Sequence, residues 1–164
     1  MAIVYAIFYE EDTGQITLAG EMDDVSASAN VVSGLSLIEL SADVFIKPTP
    51  QTHYVDLSAV EVVEKIDTSA LLNFSSTVVS ANATSTIIVS GIPVSSLVVI
   101  ELPIGATGTL SARAIVPQTS QIVNDGNITF KTDLPGDYKI IFNTPLIYTN
   151  YSVGVSAIWV ILQL

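Results

Sequence analysis

The chain has 164 residues, 49% hydrophobic and only 13% charged, enough to bury a real core in one ordinary domain or two small ones. Its formal net charge is −11, from 16 acidic and 5 basic residues, so it offers no basic stripe and argues against nucleic-acid binding. The absence of cysteine excludes disulfides and thiolate metal centres, and a single histidine leaves little for zinc.

The charge is uneven. Residues 1–70 hold 12 acids and 2 bases, whereas residues 71–164 hold 4 acids and 3 bases. Abundant Val, Ile, Ser and Thr mark a β-protein, because branched side chains suit a pleated, half-buried surface. The opening MAIVYAIFYEED turns acidic after nine residues and does not read as a signal peptide. The closing VSAIWVILQL is apolar but too short to span a bilayer, so it is expected to be a final strand, and no membrane partner is expected.

In chain order, AIVYAIFYEEDTGQITLAGEM predicts a β-hairpin. Val4, Ala6 and Phe8 alternate with Tyr5, Ile7 and Tyr9, and Asp12-Thr13-Gly14 supplies the turn. Residues 22–34 predict a short helix with Asp23 or Asp24 at its start and Gly34 after its end. LSLIEL (35–40) and THYVD read as strands, with Pro48 and Pro50 breaking regular structure between them. AVEVVEK continues the second strand after a turn. Residues 1–70 are thus expected to form a small acidic β-rich unit of α+β character, near the lower size limit for independent stability.

From residue 71 the pattern predicts an immunoglobulin-like (Ig-like) antiparallel β-sandwich over 71–164. Strands are expected at Ser76–Ser80, Ser85–Gly91, Leu97–Leu102, Leu110–Ile115, Asn127–Thr132, Tyr138–Asn143 and Tyr151–Ala157. The fold class is therefore mainly β. Asp133, Pro135, Gly136 and Tyr138 carry the Ig-like reading. A kinked acidic corner before a tyrosine is the pattern in which a strand-F tyrosine bonds backbone just upstream. Asn127–Thr132 would then be strand E and Tyr138–Asn143 strand F. The disulfide and the strand-C tryptophan of antibody domains are missing.

Candidate chemistry is sparse. His53 and Asp56 are three residues apart in a strand, a spacing that directs them to opposite faces and disfavours a Ser-His-Asp device. Asp12-Thr13-Gly14 and Asp67-Thr68-Ser69 spell or approach the aspartic-protease triplet, but Asp and Gly are ordinary turn residues at a charged hairpin tip. The clusters Glu10-Glu11-Asp12 and Glu21-Asp23-Asp24 have the ligand chemistry for Ca²⁺, yet match no EF-hand and read first as solubilising charge. No catalytic residue, cofactor or bound metal is expected. Asn73, Asn82, Asn127 and Asn150 head Asn-x-Ser/Thr triplets, which carry little meaning without a secretory signal. Tyr148, Tyr151 and Trp159 are candidate interface residues or a platform for a surface glycan.

The layout of YAIFYEEDTGQITLAGE, THYVD with VEVVEK, and ITFKTDLPGDYKI resembles short virion structural proteins of tailed bacteriophages. Those proteins join an aromatic-rich N-terminal hairpin and a HYVD-like strand to a C-terminal Ig-like domain. The resemblance implies a non-enzymatic, tail-associated component of fibre or baseplate, acting in a homo-oligomer with other virion proteins and made in the host cytoplasm. Capsid decoration and a carbohydrate-binding adhesin module are the alternatives it leaves.

Overall fold

The computed structural model describes residues 1–82, 84–103 and 120–159. Within them the chain is mainly β, and it divides into two compact units, Met1–Ile66 and Asp67–Leu164. The division falls four residues before the expected one, because Asp67 caps a short helix that belongs to the second unit.

The first unit begins with strands β1 (Ile3–Glu10) and β2 (Ile16–Asp23), helix α1 (Asp24–Ala29) and strand β3 (Leu35–Ser41). A short hairpin of β4 (His53–Asp56) and β5 (Glu61–Glu64) completes it. The sheet order is β2-β1-β3, all antiparallel, so β1 is central. That position explains its unbroken apolar run: a strand covered on both faces has no use for a polar side. Tyr5, Ile7 and Tyr9 pack on one face with Ile16 and Val55; Ala6 and Phe8 pack on the other with Ala27 of α1. The Tyr5 hydroxyl donates to the Pro48 carbonyl at 2.8 Å, tying the proline-rich loop to the sheet.

Helix α1 is shorter than its sequence predicts. Asp23 caps it, accepting from the Ser26 hydroxyl at 2.6 Å and the Ser26 amide at 2.9 Å, and these hydrogen bonds hold its carboxyl below the ordinary range. At the other end Asn30 Nδ2 donates to the Ser26 carbonyl at 2.8 Å and ends the helix. The expected terminator Gly34 lies instead in the turn before β3, where Leu35 N–H reaches the Val32 carbonyl.

Between β4 and β5 the chain reverses within Asp56–Val60, with Val60 N–H on the Asp56 carbonyl at 2.7 Å. Val60 takes φ +56°, a conformation that a β-branched residue resists. Asparagine tolerates this region, and Val60 is well exposed, so little burial is lost on replacement. Val60→Asn is expected to stabilise the protein by about 1 kcal/mol. A chemical-denaturation midpoint that falls rather than rises would refute this account of the turn.

The second unit opens with α2 (Thr68–Leu71), β6 (Asn73–Phe74), β7 (Val78–Ser80), β8 (Ile87–Ser90) and β9 (Ser96–Glu101). It continues with β10 (Ser120–Val123), β11 (Asn127–Phe130), β12 (Gly136–Asn143) and β13 (Tyr151–Ile158). Two sheets form, one ordered β10-β9-β12-β13-β7 and the other β11-β8-β6. Alternation on β12 sends Tyr138, Ile140 and Phe142 inward. They share one core with Ile87 and Val89 of β8, Phe130 of β11 and Val155 of β13, so both sheets face the same interior. Edge-on contacts of Phe142 with Phe74 and of Phe130 with Tyr138 bridge the two sheets.

Most expected strands lie within a few residues of the observed ones; Leu110–Ile115 falls outside the described residues. Three elements were not expected: α2, the two-residue β6, and β10, where SQIV is too short for a visible alternation. The pairing is also not wholly antiparallel, since β7 runs parallel to β13, Val79 opposite Ala157.

Candidate functional site

The corner residues converge on one buried hydroxyl. Strand β11 belongs to one sheet and β12 to the other, and Lys131–Pro135 carries the chain between them. Tyr138 is 2% exposed, and its hydroxyl donates to the Leu134 carbonyl at 2.9 Å. Thr132 Oγ1 lies 2.9 Å from the same hydroxyl and accepts from the Leu134 amide at 3.0 Å. Each oxygen thus has a donor and an acceptor role, and the three groups lock residues 132–138 into a single conformation. Pro135 fixes the kink, and Gly136, with φ +143°, opens β12 opposite Ala157.

Burial pushes the Tyr138 phenol above its usual value, helped by the nearby Asp133 charge. Because the folded state holds the proton more tightly than the unfolded chain, the stabilisation is complete below pH 10.0 and declines as pH rises through the folded value. Tyr138→Phe is expected to cost about 2 kcal/mol at neutral pH, since two partners lose the hydroxyl. The variant should also show a shallower fall in stability above that pH. Identical alkaline limbs for the two proteins in denaturant titrations would contradict the assignment.

The aromatic residues do not form a platform. Tyr151 stacks on Phe142 with centroids 6.4 Å apart, as part of the core wall. Tyr148 is half-buried in the β12–β13 connection, its amide on the Pro145 carbonyl. Trp159 is 64% exposed just beyond the far end of β13. A strand advances about 3.3 Å per residue, so Tyr151 and Trp159 stand roughly 25 Å apart. One flat sugar surface cannot use both.

The other candidates serve local geometry. His53 Nδ1 sits 2.7 Å from Thr52 Oγ1, while the Asp56 carboxylate accepts from the Ser58 amide and hydroxyl, which lower its pKa. In the first triplet Thr13 Oγ1 donates to Glu10 at 2.7 Å; in the second Asp67 caps α2 and buried Thr68 donates to the Thr149 carbonyl at 2.5 Å. Of the acidic clusters, Glu11 accepts from Ser36, Asp23 caps α1 and Glu21 pairs with Lys47. Among the described residues no group of three or more His, Asp or Glu is gathered to hold a metal. The side chains of Asn82, Asn127 and Asn150 all hold turns. No helix among the described residues is long and apolar enough to cross a membrane.

The structure reveals one concave site that sequence reasoning missed. A groove of about 560 Å³ opens on the first unit, walled by Ile38 and Leu40 of β3, Val44 and Ile46 of the following loop, and Val60 and Val62 of the hairpin. His53, Glu61 and Glu64 also line it. Ile46 in its wall is 63% exposed and Phe45, its neighbour in sequence, is 99% exposed, an apolar pair held out in water. The only signal in the sequence was that pair, set in a proline-bounded loop where an exposed segment is normally polar.

A scan against family models finds no match, and searches of curated proteins and of solved structures find none.

Proposed function

We propose that this chain is a non-enzymatic structural component of a tailed-bacteriophage virion, associated with the tail, and that it works by binding other virion proteins. The observation that carries the reading is how its side chains are used. Asp23 and Asp67 cap helices and Asp56 and Thr13 hold turns, while large apolar groups stand exposed around a groove. That distribution supports a protein whose work is contact.

The second unit supports an Ig-like reading. The order β10-β9-β12-β13-β7 corresponds to C′-C-F-G-A′ and β11-β8-β6 to E-B-A, with the tyrosine of the E–F corner in place. The resemblance of its sequence layout to short tail-associated proteins is what supports the assignment to a virion. Labelling the chain with a specific antibody fragment and imaging the particle tests it. A few copies in a ring of cyclic symmetry at the tail is the expected result. Hundreds of copies on the capsid lattice would replace this reading with capsid decoration, and a glycan array with strong hits would replace it with an adhesin.

A further inference from the structure

We infer that the groove on the first unit receives an apolar segment carrying lysine or arginine, supplied by a different protein. This rests on the reading of the chain as a binding protein, and not on where in a particle it sits. The floor selects apolar side chains: Ile38, Leu40, Val44 and Val62 are only partly covered although they pack against the buried cluster of Tyr5, Ile7 and Val55. An occupant laid across them would complete a core that is now open on one side.

The charge around the floor selects the sign. Glu61 and Glu64 line the groove, while residues 1–66 hold 11 acidic residues against two lysines. Neither lysine serves the groove: Lys47 is paired with Glu21, and Lys65 donates to the Pro50 carbonyl at 2.7 Å. A basic segment is therefore attracted and gains a carboxylate partner at the rim. A second copy of the same unit brings like charge to like charge and is repelled.

The test is selection of displayed random decapeptides against the full-length protein at low and at physiological salt. Peptides that combine branched apolar residues with lysine or arginine are the expected result. A representative synthetic peptide should bind about tenfold more weakly to Glu61→Lys/Glu64→Lys, and more weakly at high salt. Ile46→Ser should weaken it as well, and Val94→Ser, an exposed apolar change in the second unit, should not. Ile46 and both glutamates are at the surface, and circular dichroism checks that each variant is folded. Acidic or neutral selected peptides, binding indifferent to the groove variants, or no selected peptide at all would overturn the inference. So would a dimer in sedimentation that dissociates on Ile46→Ser, which would assign the groove to a second copy. A chain absent from the tail, yet selecting basic apolar peptides through the groove, would defeat the virion assignment and leave this inference standing.

Discussion

Gly14→Ala is expected to lower the unfolding free energy of the first unit by about 3 kcal/mol. Gly14 holds φ +75° at the hairpin tip, and a Cβ there would sit 2.1 Å from the Val55 carbonyl oxygen. That oxygen is backbone and has no rotamer to escape into. The Gly14 carbonyl accepts from Val55 N–H at 2.8 Å, so moving either chain breaks the link between the hairpin and β4. Val55 is 1% exposed and anchors the cluster beneath Tyr5 and Ile7, so the disturbance reaches the core. Gly20→Ala is the control, since nothing lies within 4 Å of its added Cβ. Hydrogen exchange at β1 and β4 amides reports the first unit directly. Equal protection in the two alanine variants would show that the close approach is not what holds the hairpin to β4.

The same glycine shows what can be read from a sequence and what cannot. Asp-Thr-Gly is legible as a turn because its residue types suit one. The contact that makes the glycine indispensable comes from Val55, forty-one residues away, and leaves no local trace. Strands with two or three inward apolar residues, such as β12 and β13, announce themselves by alternation, and β1 by its unbroken apolar run. Strand β10 does not, because four residues with one buried side chain, Val123, give no period to detect. Helix α1 is legible at its capped start and not at its end. The amide and the side chain of Asn30 both bond back to the last turn and stop it, ahead of a glycine that looks the better terminator.

For the functional surfaces the contrast is sharper. The corner is contiguous in sequence, so Asp133, Pro135, Gly136 and Tyr138 could be read together. The groove draws its walls from β3, a loop and a hairpin, and only the loop, with its Phe45-Ile46 pair, carries a local signal. The candidate aromatic residues are scattered for the converse reason. Tyr148, Tyr151 and Trp159 are close in sequence, but an extended strand sets the last two roughly 25 Å apart. Proximity along a strand is distance in space.

Gly136→Ala is expected to cost about 3 kcal/mol, more than removing the Tyr138 hydroxyl. Two effects contribute, and they separate by experiment. The first is backbone: φ +143° is a conformation that side-chain-bearing residues rarely adopt. The second is contact: an added Cβ would lie 2.6 Å from Pro103 Cγ and 2.7 Å from Pro103 Cβ, on a ring with almost no freedom to turn. Pro103→Gly removes the contact and leaves the backbone effect. The pair Gly136→Ala/Pro103→Gly should therefore be less destabilised than the sum of its single changes. Combining Gly136→Ala with Tyr138→Phe should also fall short of additivity, because displacing the start of β12 already loosens the hydroxyl from Leu134 and Thr132. Strict additivity in that second cycle would mean that the glycine and the tyrosine act separately. The corner would then be a turn followed by an independently buried tyrosine, and the support it lends to the Ig-like reading would be lost.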